Sequence, residues 1–268
     1  MPSLRNAWRL PGFALLLLLV AGPAAAHPED EFCVPGEGGL DPALCEALSQ
    51  LDSARPGGAL TTPLVAPDGL QRSAVSTAIL YVSIGIRHIL PGGLDHILFV
   101  LALFLAARRN RDLVLQISAF TLAHTATLAL AAAGVVSPPA SIVEPLIAGT
   151  IAFVAVENIG FAELTRWRVG VVFLFGLVHG LGFAGFFGDL GLPAGQFWSA
   201  LIGFNLGVEI GQLAVVAAAY LAVAGLRHWL PGWASVTAYR RRVVIPLSAA
   251  IALTGAFWTV ERILSATA

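Results

Sequence analysis

Four histidines stand inside or at the mouth of apolar runs: His88 in "YVSIGIRHIL", His96 beside Asp95 in "PGGLDHILFV", His124 in "FTLAHTATL" and His179 in "GLVHGLGF". Carboxylates accompany them, with Glu209 in "FNLGVEIGQ", Glu157 beside Asn158, and Glu144 at the start of its run. An ionisable side chain at a bilayer centre costs on the order of 2.5 to 3.5 kcal/mol on insertion scales, so such residues are functional candidates. A single imidazole bonded to a threonine is ordinary glue between helices. Four of them with several carboxylates ask for a further explanation. Imidazole with occasional carboxylate is the ligand set of nickel, cobalt, zinc and copper, whereas magnesium and calcium take oxygen throughout.

The expected metal-ligating residues are therefore His88, Asp95, His96, His124, His179 and Glu209, with Glu144, Glu157, Asn158, Thr121, Thr125 and Asn205 along a pathway. Their places along the runs predict ligands at several depths. Glu144, His88, Asp95 and His96 form an outer receiving site, His124, His179 and Glu209 a central one, and Glu157 with Asn158 an exit. A closed structural site would gather four ligands tetrahedrally; ligands spread over depth fit a relay that passes a divalent transition ion. The competing chemistry is an intramembrane zinc hydrolase, in which three histidines, an aspartate and a hydroxyl such as Ser118 activate water. That reading needs its ligands at one depth. A third reading is an accessory protein that delivers metal to a metalloenzyme.

Residues like these have to be held by membrane helices. With 57% hydrophobic and 12% charged residues and a mean hydropathy of +0.82, the chain reads as an all-α, polytopic helical bundle whose solvent is the lipid bilayer. A net charge of -1 without a basic tract excludes a nucleic-acid partner.

Arg5 and Arg9, the apolar "GFALLLLLVAG" and the small residues "PAAA" predict a signal peptide over residues 1–26, cleaved after Ala26. Residues 27–73 follow as a Pro- and Gly-rich exported segment, in which eight acidic residues outweigh Arg55 and Arg72. Cys33 and Cys45 lie close together in that segment, and an exported pair of this spacing predicts a disulfide.

Residues 74–268 hold the bundle. Apolar runs at 92–108, 112–135, 141–162, 169–188, 198–226 and 243–263 predict six transmembrane helices. The direction follows from arginine. Six spans with both mature termini outside put Arg108, Arg109, Arg111, Arg166, Arg168, Arg227, Arg240, Arg241 and Arg242 in inner loops, leaving four arginines outside. Making residues 75–90 a seventh span reverses that balance, so they are expected as an interfacial helix ended by Pro91.

Helical spacing also sorts the polar residues. Ser118, Thr121, His124 and Thr125 fall on one strip, Asn205, Glu209 and Gln212 on another, and Thr150 with Glu157 on a third. Lipid-facing surfaces are not built this way, so the strips are expected to face one another. Gly203, Gly207 and Gly211, and Gly176 with Gly180, recur every fourth residue and predict close helix contacts.

The stretches "RHILPGGLDH", "FTLAHTATL", "VEPLIAGTIAFVAVEN" and "FGLVHGLGF", within residues 80 to 226, resemble the HupE/UreJ family of hydrogenase and urease accessory membrane proteins. The resemblance implies a nickel or cobalt permease of a bacterial inner membrane, with zinc or copper as lesser candidates and a metalloenzyme maturation system as a partner. Six residues separate His88 from Asp95, where the family's best-known members have five. Phe175 and Gly182 stand where the later family motif has a histidine and a glutamate.

Overall fold

The computed structural model describes residues 73–107, 109–161, 167–182, 195–229 and 235–267. The chain divides into two units, Met1–Pro56 and Gly57–Ala268, and all described residues belong to the second. The expected signal peptide, the acidic segment up to residue 72 and the Cys33–Cys45 pair lie outside the described residues.

Among the described residues the structure is helical, without strands. The helices are α1 (Ala74–Ile89), α2 (Leu94–Ala106), α3 (Asn110–Ala132), α4 (Ala140–Gly160), α5 (Arg168–Gly182), α6 (Phe197–Trp229), the short α7 (Val236–Tyr239) and α8 (Ile245–Thr267), with a π-helical turn at Arg240–Val244 between the last two. Three pairs pack most extensively, α1 with α6, α3 with α5 and α4 with α8, and α2 sits among them touching α1, α3, α4, α6 and α8. Outward faces carry large apolar side chains such as Leu122, Phe153, Ile202, Leu206 and Phe257. Such faces suit lipid, where every backbone polar group is satisfied inside its own helix.

Small residues let the pairs close. A Cβ on Gly207 would fall on the Val82 carbonyl oxygen, and one on Gly85 would come within 2.9 Å of the Val208 nitrogen, so α1 and α6 touch through backbone. The α3–α5 contact is built alike, for a Cβ on Gly176 would lie 2.9 Å from that of Ala123. The glycine spacing read from sequence is thus spent on helix contact.

The helical membrane bundle is as expected, while the count of six spans is not confirmed. Among the described residues four helices are long and apolar enough to span a bilayer, α3, α4, α6 and α7–α8 taken together, or five if α1 and α2 form one span broken by a 73° bend. Six were expected. The 13 residues of α2 are fewer than the ~20 a span needs, but α2 is enclosed by other helices and need not match the bilayer's thickness; α5 is described over 15 residues, up to Gly182, where that described stretch stops. The helix expected before the first span is present as α1, capped by the Ser73 hydroxyl, which accepts the Ser76 N–H. It is held by α6 along its length as a member of the bundle, rather than by a membrane surface alone. Arginine counting could not show this, because the count sees only which side of the membrane a loop is on.

Candidate metal centre

The bend between α1 and α2 does the first work of assembly. In a straight helix, His88 and His96 would be about 12 Å apart along the axis. The turn at Leu90–Gly93 brings their ring centroids to 4.8 Å. A side chain at Gly93 would strike the His88 carbonyl, so glycine permits this close return. From the start of α2, His96 also meets His124 of α3 at 6.0 Å and His179 of α5 at 5.2 Å, each edge to face. Four helices thus contribute one imidazole each, and His96 touches the other three.

This corrects the expected division into an outer and a central site. His88 and His96 belong to the same cluster as His124 and His179. The reason is that α2 begins inside the bundle, so its first turn lies level with the middle of α3. Phe99, Phe120 and Phe204, all fully buried, pack around the imidazoles. Phe120 lies 5.0 Å from His179, Phe99 5.1 Å from His179, and Phe204 5.6 Å from His88.

Hydrogen bonds fix which nitrogen each of two rings leaves open. The Asn205 amide nitrogen donates to the Leu201 carbonyl at 2.8 Å, which turns its Oδ1 toward His124 Nδ1 at 3.2 Å. His124 Nδ1 therefore carries the proton and Nε2 the lone pair. The Thr150 hydroxyl donates to the Ile147 carbonyl at 2.7 Å and lies 2.8 Å from His179 Nε2. Were the hydroxyl to donate to the ring instead, two lone-pair oxygens would face each other at 2.7 Å. His179 Nε2 is thus the donor and Nδ1 carries the lone pair.

Those two open nitrogens, His124 Nε2 and His179 Nδ1, are buried without a hydrogen-bond partner, as is His96 Nε2. Leaving one buried acceptor unsatisfied costs roughly 1–3 kcal/mol. Three at one place call for an explanation, and a bound ion is one that the chemistry of imidazole allows.

The spacing suits a metal ion. An imidazole nitrogen held ~2.0–2.1 Å from a tetrahedral ion places its ring centroid about 3.2 Å away, and two such rings about 5.2 Å apart. The separations from His96 to its neighbours, 4.8 to 6.0 Å, bracket that value. Among the described residues no three His, Cys, Asp or Glu side chains already stand in a ligating arrangement. The agreement is one of ring separation, and it is measured from His96 to each neighbour.

The remaining predicted residues fall elsewhere. Asp95 points away from the cluster to Arg262 of α8, whose Nη2 donates to both carboxylate oxygens at 2.9 and 3.2 Å. The same guanidinium donates through Nη1 to the Glu144 carbonyl at 3.1 Å. Glu209 is half-buried on α6, and no hydrogen bond joins it to the histidines. Thr121 donates to Gln212 at 3.3 Å across the α3–α6 contact, while Thr125 turns back to the Thr121 carbonyl at 2.6 Å. Ser118 is exposed, because six residues at ~100° each carry it to a different face from His124.

Glu157 and Asn158, expected as an exit, form a second polar cluster around Arg168. Arg168 donates from Nη1 to Glu157 at 2.8 Å, from Nη2 to Asn158 at 2.9 Å and from Nε to Gln116 at 3.0 Å. Asn158 in turn donates to the Ala102 carbonyl at 2.8 Å and to Ser248 at 3.3 Å. Arg240, presented by the π-helical turn, closes the end of α4 by donating to the carbonyls of Asn158 and Ile159. Arg168, Arg262 and Gln116 escaped the sequence reading. Arginines serve the sequence reading as topology markers, and Gln116 lies two, five and eight residues from Ser118, Thr121 and His124, off the helical spacing of the α3 strip.

Apolar helices long enough to span a bilayer, packed around a buried imidazole cluster, define the class: a multi-pass helical membrane protein. A family model described as HupE / UreJ protein matches residues 68–262, most of the chain, and the chain belongs to the HupE/UreJ family. No curated protein and no solved structure matches it.

Proposed function

We propose that this HupE/UreJ family member is a permease for a divalent transition metal, nickel or cobalt before zinc or copper, in a bacterial inner membrane with both mature termini in the periplasm. The observation that carries the reading is the set of open, buried nitrogens on His96, His124 and His179. They are uncharged donors of the type that these metals prefer over oxygen. The ion is cargo, received near Asp95 and Arg262 and held by the imidazoles. The ion leaves past the Arg168 cluster, so release requires its hydrogen bonds to open.

The test is uptake of radiolabelled nickel, cobalt, zinc and copper by cells making the wild type, His96→Ala or His124→Ala. Each variant is expected to lose accumulation while still being inserted. Unchanged uptake of all four metals would sink the permease reading. A second reading, an intramembrane zinc-dependent hydrolase, is favoured by one observation: the histidines form a single cluster instead of the expected series of depths. Ser118 does not serve it, being on the exposed face. Lipid hydrolysis that depends on added zinc and on His96, without uptake, would put this reading first.

A further inference from the structure

We infer that Thr150 and Asn205 are positioning residues that choose the ligating atom of their histidines, so that the ion is held through Nδ1 of His179 and Nε2 of His124. The inference rests on the metal-handling reading above and names the residues that prepare its site. The two hydrogen bonds have a common design. In each, a side-chain oxygen accepts the proton of one imidazole nitrogen, and that oxygen is itself oriented by a main-chain carbonyl of its own helix, Ile147 for Thr150 and Leu201 for Asn205. Thr150, Asn205, His124 and His179 are all buried, so water does not compete for either contact.

A neutral imidazole left to itself places its proton on either nitrogen, and only the unprotonated nitrogen can bind a metal. Holding the proton on the far nitrogen means that the near one is ready before the ion arrives, and no proton has to be moved inside an apolar bundle. The two rings use opposite nitrogens for a geometric reason. His179 comes from α5 with its Nε2 against α4, and His124 from α3 with its Nδ1 against α6, so each ring turns its other nitrogen inward. Neither partner is charged. His124 and His179 are therefore oriented as neutral donors by uncharged partners. Outer groups that orient metal-bound histidines are worth about 10- to 100-fold in metal affinity.

The experiment uses purified full-length protein in lipid nanodiscs, with two measurements. The first is nitrogen-15 magnetic resonance of labelled histidine side chains without metal. It is expected to find His179 protonated at Nε2 and His124 at Nδ1, with each tautomer mixed in Thr150→Val and Asn205→Leu respectively. The second is cobalt binding followed by visible absorption. Thr150→Val and Asn205→Leu are each expected to weaken binding about 10- to 100-fold, while Thr150→Ser, which keeps the hydroxyl, restores most of it. A structural role for Thr150 would lower stability without altering the His179 tautomer. Wild-type tautomers in the two apolar variants, or the opposite tautomers in the wild type, would overturn the inference. Correct tautomers in a wild type that binds no cobalt would overturn the metal reading and leave the orientation of the rings standing on its own.

Discussion

The protein buries two polar clusters, and they are built on opposite principles. Around Arg168 each of the three guanidinium nitrogens finds a separate acceptor, and Asn158 is bonded through both ends of its amide. Around His96 the reverse holds, with three buried nitrogens open. On α3, Gln116 of the first cluster and His124 of the second are only about 12 Å apart along the helix. Polarity in an apolar bundle is therefore a poor guide to function by itself. What distinguishes the clusters is whether the hydrogen-bond valences are closed, because a closed network ties helices together and an open one leaves room for a ligand.

The largest effects should fall on opposite properties. Arg168→Met leaves the Glu157 carboxylate, 13% exposed, facing the vacancy of a partner only 3% exposed. Removing one partner of a buried ion pair costs about 3–5 kcal/mol, which thermal unfolding in nanodiscs should register. Metal bound per folded molecule should not change. His96→Phe should do the converse, since an apolar ring of similar shape removes an unsatisfied nitrogen at little cost in stability while elemental analysis finds the retained metal gone. If Arg168→Met lost metal, or His96→Phe lost the fold, the distinction between closed and open clusters would be broken.

A smaller effect is expected at the third polar contact. The side chains of Arg262 and Asp95 are 17% and 22% exposed, between the buried Arg168 pair and a surface ion pair. A partly solvated pair of this kind contributes up to about 1 kcal/mol, so Arg262→Gln should lower the unfolding midpoint by roughly 2–4 °C. Cobalt affinity at the imidazoles should stay as it is. A fall comparable to that of Arg168→Met would mean that the outer pair belongs with the closed network.

Much of this contrast was legible in the sequence, and the part that was not has identifiable causes. The apolar runs gave the helices, the four-residue glycine spacing gave close contacts, and the polar strips proved to face inward apart from Ser118, with Thr121, His124, Thr150, Asn205 and Gln212 all buried. His88, Asp95 and His96 were misplaced because depth was read from distance along the chain. A 73° bend breaks that relation, and no local signal beyond Pro91-Gly92-Gly93 announces how sharply the chain returns. Asp95 looked like a ligand because its partner, Arg262, lies 167 residues away. Long-range charge pairing of this sort has no signature in spacing. The metal preference implied by the resemblance meets a departure from the family's pattern at Phe175, which stands where the motif has a histidine.

Phe175 precedes His179 by one helical turn on α5, so the two share a face. Its ring lies 6.3 Å from Phe99, which in turn lies 5.1 Å from His179. It therefore occupies the layer next to the imidazoles, packed also on Phe153 at 5.5 Å, and it is only half-buried. Phe175→His should accordingly alter stability little, the smallest change of the series. Its consequence for the site is more specific. A further imidazole beside the cluster raises the number of nitrogen donors within reach, and zinc, which is satisfied by four ligands, gains less from that than nickel, which takes geometries with more. Competition between the two ions for the purified variant, read by elemental analysis, should move toward nickel relative to the wild type. An unchanged ratio would show that the Phe175 layer is as closed to the ion as the Arg168 cluster, and the open region would end at His179.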